Sequence, residues 1–434
     1  MRNQKKEVDE LSLSIIFLCH NNRSIGLCIE SVLEQAMEND EIIVVDDNSE
    51  DETFSLLQNY FDENGIILIR SDKAGNRSRN RNLGAQLAKN EVLVFLDGDI
   101  VLGNNGLDEI RSAYLKRPEE AFIGQKHAVN FDEIQLYLFS RIENYMELLK
   151  TYDGREVLAN SPLFQDKRQF AFEDEQNQSY NWTLYYTGLN TISKKVFEEI
   201  GGFDEFFEEW GSEDIDLGYR ISQKYSIGFL KKLHGFHIPH YRNVIENEIS
   251  NIKNIKYMLK KYRTWEFEIL DNFFGYGSFP TFHNIIQSMR LLILSEPKIS
   301  LNNGEIFVDI ISQKHPYGYI FYKENDEIQF EKSMLGLSIL RDDKSFTVAF
   351  VSEHVFIYPI LLACRILQEA LRVGKKVYIY PTDDAIRLPW RKENVLEPKA
   401  QRQHYRYEVN DIFAFNFERQ GAYIEVTYIE GILK

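Results

Sequence analysis

Four short apolar runs organise the first hundred residues. They are Leu13 to Leu18 (LSIIFL), Glu41 to Val45 (EIIVV), Gly65 to Ile69 (GIILI) and Val92 to Leu96 (VLVFL). Continuous runs of this length read as strands covered on both faces. The stretches between them have helical spacing. In the first, Ile25, Cys28, Ile29, Val32, Leu33 and Ala36 recur at three- and four-residue steps, and Ser24 stands where an N-cap belongs. Helices are likewise predicted over 51–60 and 78–87. Strand alternating with helix predicts a parallel sheet with right-handed crossovers, an α/β fold.

Beyond this repeat the pattern loosens. Helices are predicted near 107–115 and 133–150, and an acid-rich stretch at 170–179 reads as a loop. Another helix begins near Ser212. Two more are predicted over 251–274 and 282–294. From about residue 305 strands return (EIFVDII, GYIFYK, FTVAFV, KKVYIY), with a helix over 359–373. The expected organisation is a catalytic domain over 1–245, a helical connector over 246–300 and a smaller α/β accessory domain over 301–434.

Composition narrows the function. The 434 residues carry a net charge of −17, which opposes general nucleic-acid binding. Three scattered cysteines give no disulfide framework or zinc spacing. The charged N-terminus has no signal-peptide core, and the longest apolar run, 355–364, is about half a membrane span. The expected location is the cytoplasm, with peripheral membrane contact allowed. Arg387, Arg391, Lys392, Lys399, Arg402 and Arg406 form a basic run. It reads as a solvated loop, or as a contact for an anionic acceptor, a lipid headgroup or a partner.

The candidate chemistry gathers at strand ends. His20 follows the first strand, Asp46 and Asp47 the second, and Asp97-Gly98-Asp99 the fourth. Ligands of open α/β sheets bind at the carboxyl ends of the strands. Two acids there suit a divalent cation held against a phosphate, and Gly98 would let backbone and carboxylates approach the ligand. An acidic turn also arises for purely structural reasons. No phosphate-cradling glycine loop is present, so phosphate charge must be met by a metal or by arginines. A second constellation is GGFDE at 201–205 followed by WGSEDIDLGYR at 210–220. Glu213 and Asp214 suit a helix first turn; equally, one of them suits proton removal from a nucleophile.

SIIFLCHNN, EIIVVDDNSEDET, GNRSRNRNLGAQLA and VLVFLDGDI, in this order, resemble the nucleotide-binding half of family 2 glycosyltransferases, over about 13–243. The resemblance implies a GT-A fold, a Rossmann-like mostly parallel sheet flanked by helices, and a nucleotide-sugar donor with Mn2+ or Mg2+. It implies that Asp47, with Asp46 beside it, meets the base; that His20 stands where a tyrosine often packs on the base; and that Arg81 lies near the nucleotide. Asp97 would face ribose and metal, and Asp99 would ligate the metal. GGFDE with WGxEDIDLGYR resembles the acceptor-side motif of inverting galactosyltransferase-like enzymes. That implies Asp214 as general base, Glu213 and Trp210 lining the sugar and acceptor pocket, and Asn190 on the donor side. His240, or else His237, would complete the metal site.

The expected activity is inverting transfer from a nucleotide-diphosphate sugar, a UDP-sugar foremost. The acceptor would be a glycan, a lipid-linked glycan or a peptide, as in polysaccharide biosynthesis. The alternative is a non-catalytic sugar-nucleotide or glycan-binding subunit supporting a partner transferase. The C-terminal domain would serve the acceptor or a homo-oligomer contact.

Overall fold

The computed structural model describes residues 11–127, 139–161, 166, 168–173, 175–240, 244–273, 301–309, 319–332, 334–352, 355, 360–380, 415–420 and 423–428. The chain divides into two compact units, Met1–Asn254 and Ile255–Lys434.

The first unit is built on an eight-stranded sheet. Its strands are β1 (Leu13–Cys19), β2 (Glu41–Asp46), β3 (Ile67–Arg70), β4 (Val92–Asp97), β5 (Ile100–Leu102), β6 (Ala121–His127), β7 (Leu189–Ser193) and β8 (Ile227–His237), in the order β3-β2-β1-β4-β7-β6-β8-β5. Pairing is parallel from β3 through β4, the signature of the strand-helix repeats. The crossovers are α1 (Ile25–Leu33), α2 (Thr53–Asn64) and α3 (Arg77–Leu87). β7 then runs antiparallel to both β4 and β6. β6 and β8 are parallel, and the short β5 returns antiparallel on β8.

Register fixes what meets at the sheet edge. Cys19 lies opposite Asp46 and Leu18 opposite Asp97. The residues after these three strands therefore emerge side by side. Apolar side chains fill both faces. One cluster runs from Ile15 and Phe17 to Val94, Leu102 and Phe236. The other joins Ile16, Ile43 and Phe95 to Tyr185, Phe203 and Leu217. α4 (Gly106–Tyr114) lies under the first cluster and α9 (Glu213–Ser222) under the second. Between them in sequence come α5 (Phe139–Leu149), α6 (Tyr152–Ala159), α7 (Arg168–Glu173) and α8 (Lys194–Glu199).

Several expectations are refined. Ser24 and Ser212 occupy N-cap positions, but neither side chain caps its helix. Ser212 sits at φ 68° and gives its hydroxyl to Asn251. Of the stretch 170–179, residues 170–173 belong to α7 and 175–179 to a 3-10 helix over Glu175–Leu184, not to a loop. The single helix expected over 251–274 is two, α10 (Val244–Tyr262) and α11 (Trp265–Phe273), broken where Arg263 turns to φ 50°. The helix predicted over 282–294 and the basic run 387–406 lie outside the described residues.

The second unit holds a seven-stranded sheet: β9 (Glu305–Asp309), β10 (Tyr319–Glu324), β11 (Glu327–Lys332), β12 (Phe346–Ser352), β13 (Gly374–Tyr380), β14 (Phe415–Gln420) and β15 (Tyr423–Tyr428). The order is β11-β10-β9-β12-β13-β15-β14. α12 (Ile360–Val373) makes the parallel crossover from β12 to β13, as the sequence pattern predicts.

Candidate active site

Gly98 matters for packing within the protein. Its amide donates to the Leu18 carbonyl, and a Cβ there would come within 2.7 Å of Cys19 Cβ. The glycine seats the acidic turn against β1, so its bareness is not open to a ligand, as the sequence had suggested. The turn splays its two carboxylates into different surroundings.

Asp99 points to the end of β8. Its Oδ2 lies 3.3 Å from His237 Nε2 and 2.9 Å from His240 Nε2. The ligand atoms of the three residues lie within 4.8 Å of one another. Asp99 Oδ1 is buried with no hydrogen-bond partner among the described residues. Burial raises the Asp99 carboxyl, but hydrogen bonds from both imidazoles outweigh it and hold it well below its ordinary value. One carboxylate, two imidazoles and an unspent oxygen fit a divalent transition metal. Both histidines named by the sequence thus come to Asp99. β5 and β8 bring them there: Ile100 pairs with His237, and the Ile238 amide donates to the Asp99 carbonyl.

Asp97 points the other way and lies outside that trio. Its Oδ1 takes Arg81 at 2.9 Å. Arg81 is almost fully buried, and its other terminal nitrogen reaches Glu213 Oε1 at 3.0 Å. The guanidinium also lies over the Phe203 ring, 5.4 Å from its centroid. Arg81 is therefore a brace between the two motifs. Burial raises the Asp97 carboxyl, but the charges of Arg81, Lys126 and Arg77 together bring it below its ordinary value. Lys126, at the end of β6, is a second cation here. Its Nζ and Asp97 Oδ2 lie against the bare Cα of Gly188, where a Cβ would come within 3.1 and 3.2 Å of them. Gly188 has φ 116°, a backbone that favours glycine, and its bare Cα leaves these two side-chain ends room.

Asp214, in the first turn of α9, is half-buried. Its Oδ2 accepts the Thr187 amide at 2.9 Å and its Oδ1 the Ile215 amide at 2.8 Å. Burial, and next the charge of Glu213, push this carboxyl up to about 7. A carboxylate titrating near neutrality is suited to proton transfer. Glu213 itself is buried, and its Oε2 has no hydrogen-bond partner among the described residues.

The remaining sequence candidates are placed less openly. Asp46 is fully buried, bonded to the Ser49 amide at 3.1 Å and hydroxyl at 2.5 Å, and 3.6 Å from Arg70 Nε. Asp47 accepts the Gly75 amide and the Asn80 side chain. Both acids knit the loops at the sheet edge. His20 is exposed, its Nδ1 2.7 Å from the Asp47 carbonyl. Asn190 is fully buried opposite Phe95, with neither end of its amide hydrogen-bonded among the described residues. Trp210 is half-buried, and its carbonyl accepts Ser250 Oγ at 2.8 Å.

Residues 14–201 match the family model for glycosyl transferase family 2, and residues 167–243 the model described as the N-terminal domain of galactosyltransferase. The segment 14–201 is thus a glycosyltransferase family 2 region. The unit that contains it is an α/β fold, a mostly parallel sheet flanked by helices.

Family 2 relatives are distant. A validoxylamine A glucosyltransferase of Streptomyces hygroscopicus subsp. jinggangensis (strain 5008) is 27% identical over 234 residues, 52% of this chain and 54% of that one. A hyaluronan synthase of Pasteurella multocida is 26% identical over 245 residues, 54% of this chain and 25% of that one. The chain thus spans about half or less of these relatives. Among solved structures, a mannosyltransferase of Pyrobaculum calidifontis in complex with GDP-Man and Mn2+ aligns with a TM-score of 0.41 and 14% identity, covering 58% of this chain and 64% of that one.

Sequence reasoning missed Lys126 and Thr187. The only signal for Lys126 was the abrupt change from Ala121-Phe122-Ile123 to Gln125-Lys126-His127 at a strand end, the same kind of place as Asp97. Among the described residues no helix is long and apolar enough to cross a membrane.

Proposed function

We propose that this chain is a metal-dependent inverting glycosyltransferase that moves a sugar from a nucleotide-diphosphate donor, a UDP-sugar foremost, to an acceptor hydroxyl. The observation that carries the reading is the Arg81 brace. It joins Asp97 at 2.9 Å to Glu213 at 3.0 Å, so the donor-side acids and the raised Asp214 share one site. Asp99, His237 and His240 are the residues suited to hold Mn2+ or Mg2+, and Asp97 borders them. A bound cation supplies positive charge against the departing diphosphate. Lys126, with its ammonium beside Asp97, adds charge of the same sign.

Asp214 takes the proton from the acceptor hydroxyl. The acceptor oxygen attacks the anomeric carbon from the face opposite the diphosphate, and the carbon–oxygen bond to the leaving group breaks. The anomeric centre is inverted. The Thr187 amide holds Asp214 in place, and Glu213 keeps its carboxyl basic enough to accept a proton near pH 7. Half-buried Trp210, just ahead of α9, suits the wall of the sugar and acceptor pocket.

The test is release of nucleotide from a panel of nucleotide sugars by the purified chain, with Mn2+, with Mg2+ and with chelator. Metal-dependent release from one donor that Asp214→Asn slows by at least a hundredfold is expected. Release untouched by chelator and by Asp214→Asn would remove both assignments.

A further inference from the structure

A cavity of about 510 Å³ opens on the first unit beside the far end of α9. Asp214 lies in the first turn of this helix and Ser222, at its end, lines the cavity. Eight residues of helical rise separate the two by about 12 Å. The volume lies within the roughly 300–1,000 Å³ range of small-ligand sites, and none of the residues assigned to transfer lines it.

Its lining combines two kinds of surface. Phe172, Tyr225 and Phe229 are half-buried rings, with Phe172 packed on Phe229 at 5.3 Å between centroids. Set among them are planar hydrogen-bonding groups. Arg117 and Glu120 form an ion pair at 2.7 Å, and Gln169 and Asn181 add amides. Asn181 is only 5% exposed, yet its Oδ1 has no hydrogen-bond partner among the described residues. A buried acceptor left unpaired in a cavity wall is costly unless something donates to it. Aromatic faces matched with planar amide, carboxylate and guanidinium groups suit a molecule with apolar C–H faces and a rim of hydroxyls. That is a saccharide. A nucleotide or phosphate would ask for several converging cations, and here Glu120 pairs with Arg117, while Lys231, the other cation of the lining, is exposed.

We propose that this cavity binds a short saccharide stretch and holds a glycan acceptor at a second point, away from the transfer centre. The proposal rests on the glycosyltransferase reading and narrows its acceptor to a glycan rather than a peptide.

The test is a printed oligosaccharide array probed with the full chain, followed by titration of the best-bound saccharide. Binding is expected in the wild type and in Asp214→Asn, and is expected to persist with saturating UDP and Mn2+. Tyr225→Ala and Asn181→Leu should each weaken it at least tenfold. Asn181→Leu replaces an unpaired buried acceptor by an apolar group, so its thermal midpoint should not fall. A blank array, or affinity retained by both variants, overturns the site. Donor hydrolysis on the same preparation separates the two failures. Hydrolysis with a blank array sinks only the second site, whereas array binding without hydrolysis sinks the transfer reading instead.

Discussion

Asp214→Asn should change how the stability of the protein depends on pH. The carboxyl titrates near 7 in the folded chain, against an ordinary 3.8. Between these values the folded state holds a proton that the unfolded state has released. Stability therefore falls as pH rises from 3.8 to 7, is flat below, and is flat again above. The full span, about 3 pH units at about 1.4 kcal/mol each, is about 4 kcal/mol. Asparagine does not titrate and removes this slope. It also loses one acceptor toward the Thr187 or Ile215 amide, at a cost of about 1 kcal/mol, but that cost is the same at every pH. From pH 5.5 to 8.5 the wild type should thus lose about 2 kcal/mol that the variant keeps. For a unit of this size that is roughly 4–8 °C in midpoint. Thermal or urea unfolding of both proteins at the two pH values measures it. Parallel pH dependences would show that Asp214 is an ordinary carboxylate and remove the physical basis for its role as base.

The same assignment sets the kinetics. Transfer should rise with pH through about 7 to a plateau, and Glu213→Gln should move that limb to lower pH by removing a neighbouring charge; a limb below pH 5 in the wild type would contradict both. Asp99→Ala should weaken Mn2+ binding, read by calorimetry without any nucleotide, by tenfold or more, and unchanged affinity would rule Asp99 out as a ligand. Gly188→Ala forces a Cβ into φ 116° and against Lys126 and Asp97; it should cost about 1–2 kcal/mol of stability and most of the activity, and a fully active variant would refute the crowding. Arg111 is fully buried, ion-paired with buried Asp40 and bonded to the Leu11 carbonyl at 3.0 Å. Arg111→Ala should lower stability by about 3–5 kcal/mol because it strands that carboxylate, as measured by urea unfolding.

How much was legible in the sequence depended on how local the cause was. β1, β2 and β4 are buried along nearly their whole length, so their apolar runs announced them. The acidic motifs were visible because their residues stand together. What they do in the fold was not visible. Whether Asp47 is free to meet a base depends on Gly75 and Asn80, and Asp46 is spent on Ser49 and Arg70. Arg81 read as a residue near the nucleotide, yet Asp97 and Glu213 occupy its guanidinium. Lys126 comes to the site from β6 on the far side of β7, a placement that depends on strand order. The break at Arg263 had no glycine or proline to mark it.

The links that close the site have a consequence for its birth on the ribosome. Arg81 and Glu213 are 132 residues apart, and Asp99 waits slightly longer for His237. At about 5–20 residues per second, that interval lasts roughly seven to thirty seconds. During it the first four strands can pair while Arg81 has only Asp97 to neutralise it and the Asp99 carboxylate has no imidazole partner. On the proposed function, competence for donor and metal is then gained late, once α9 brings Glu213 and β8 brings His237. A chain halted before residue 213 would carry every nucleotide-side acid and still be inert.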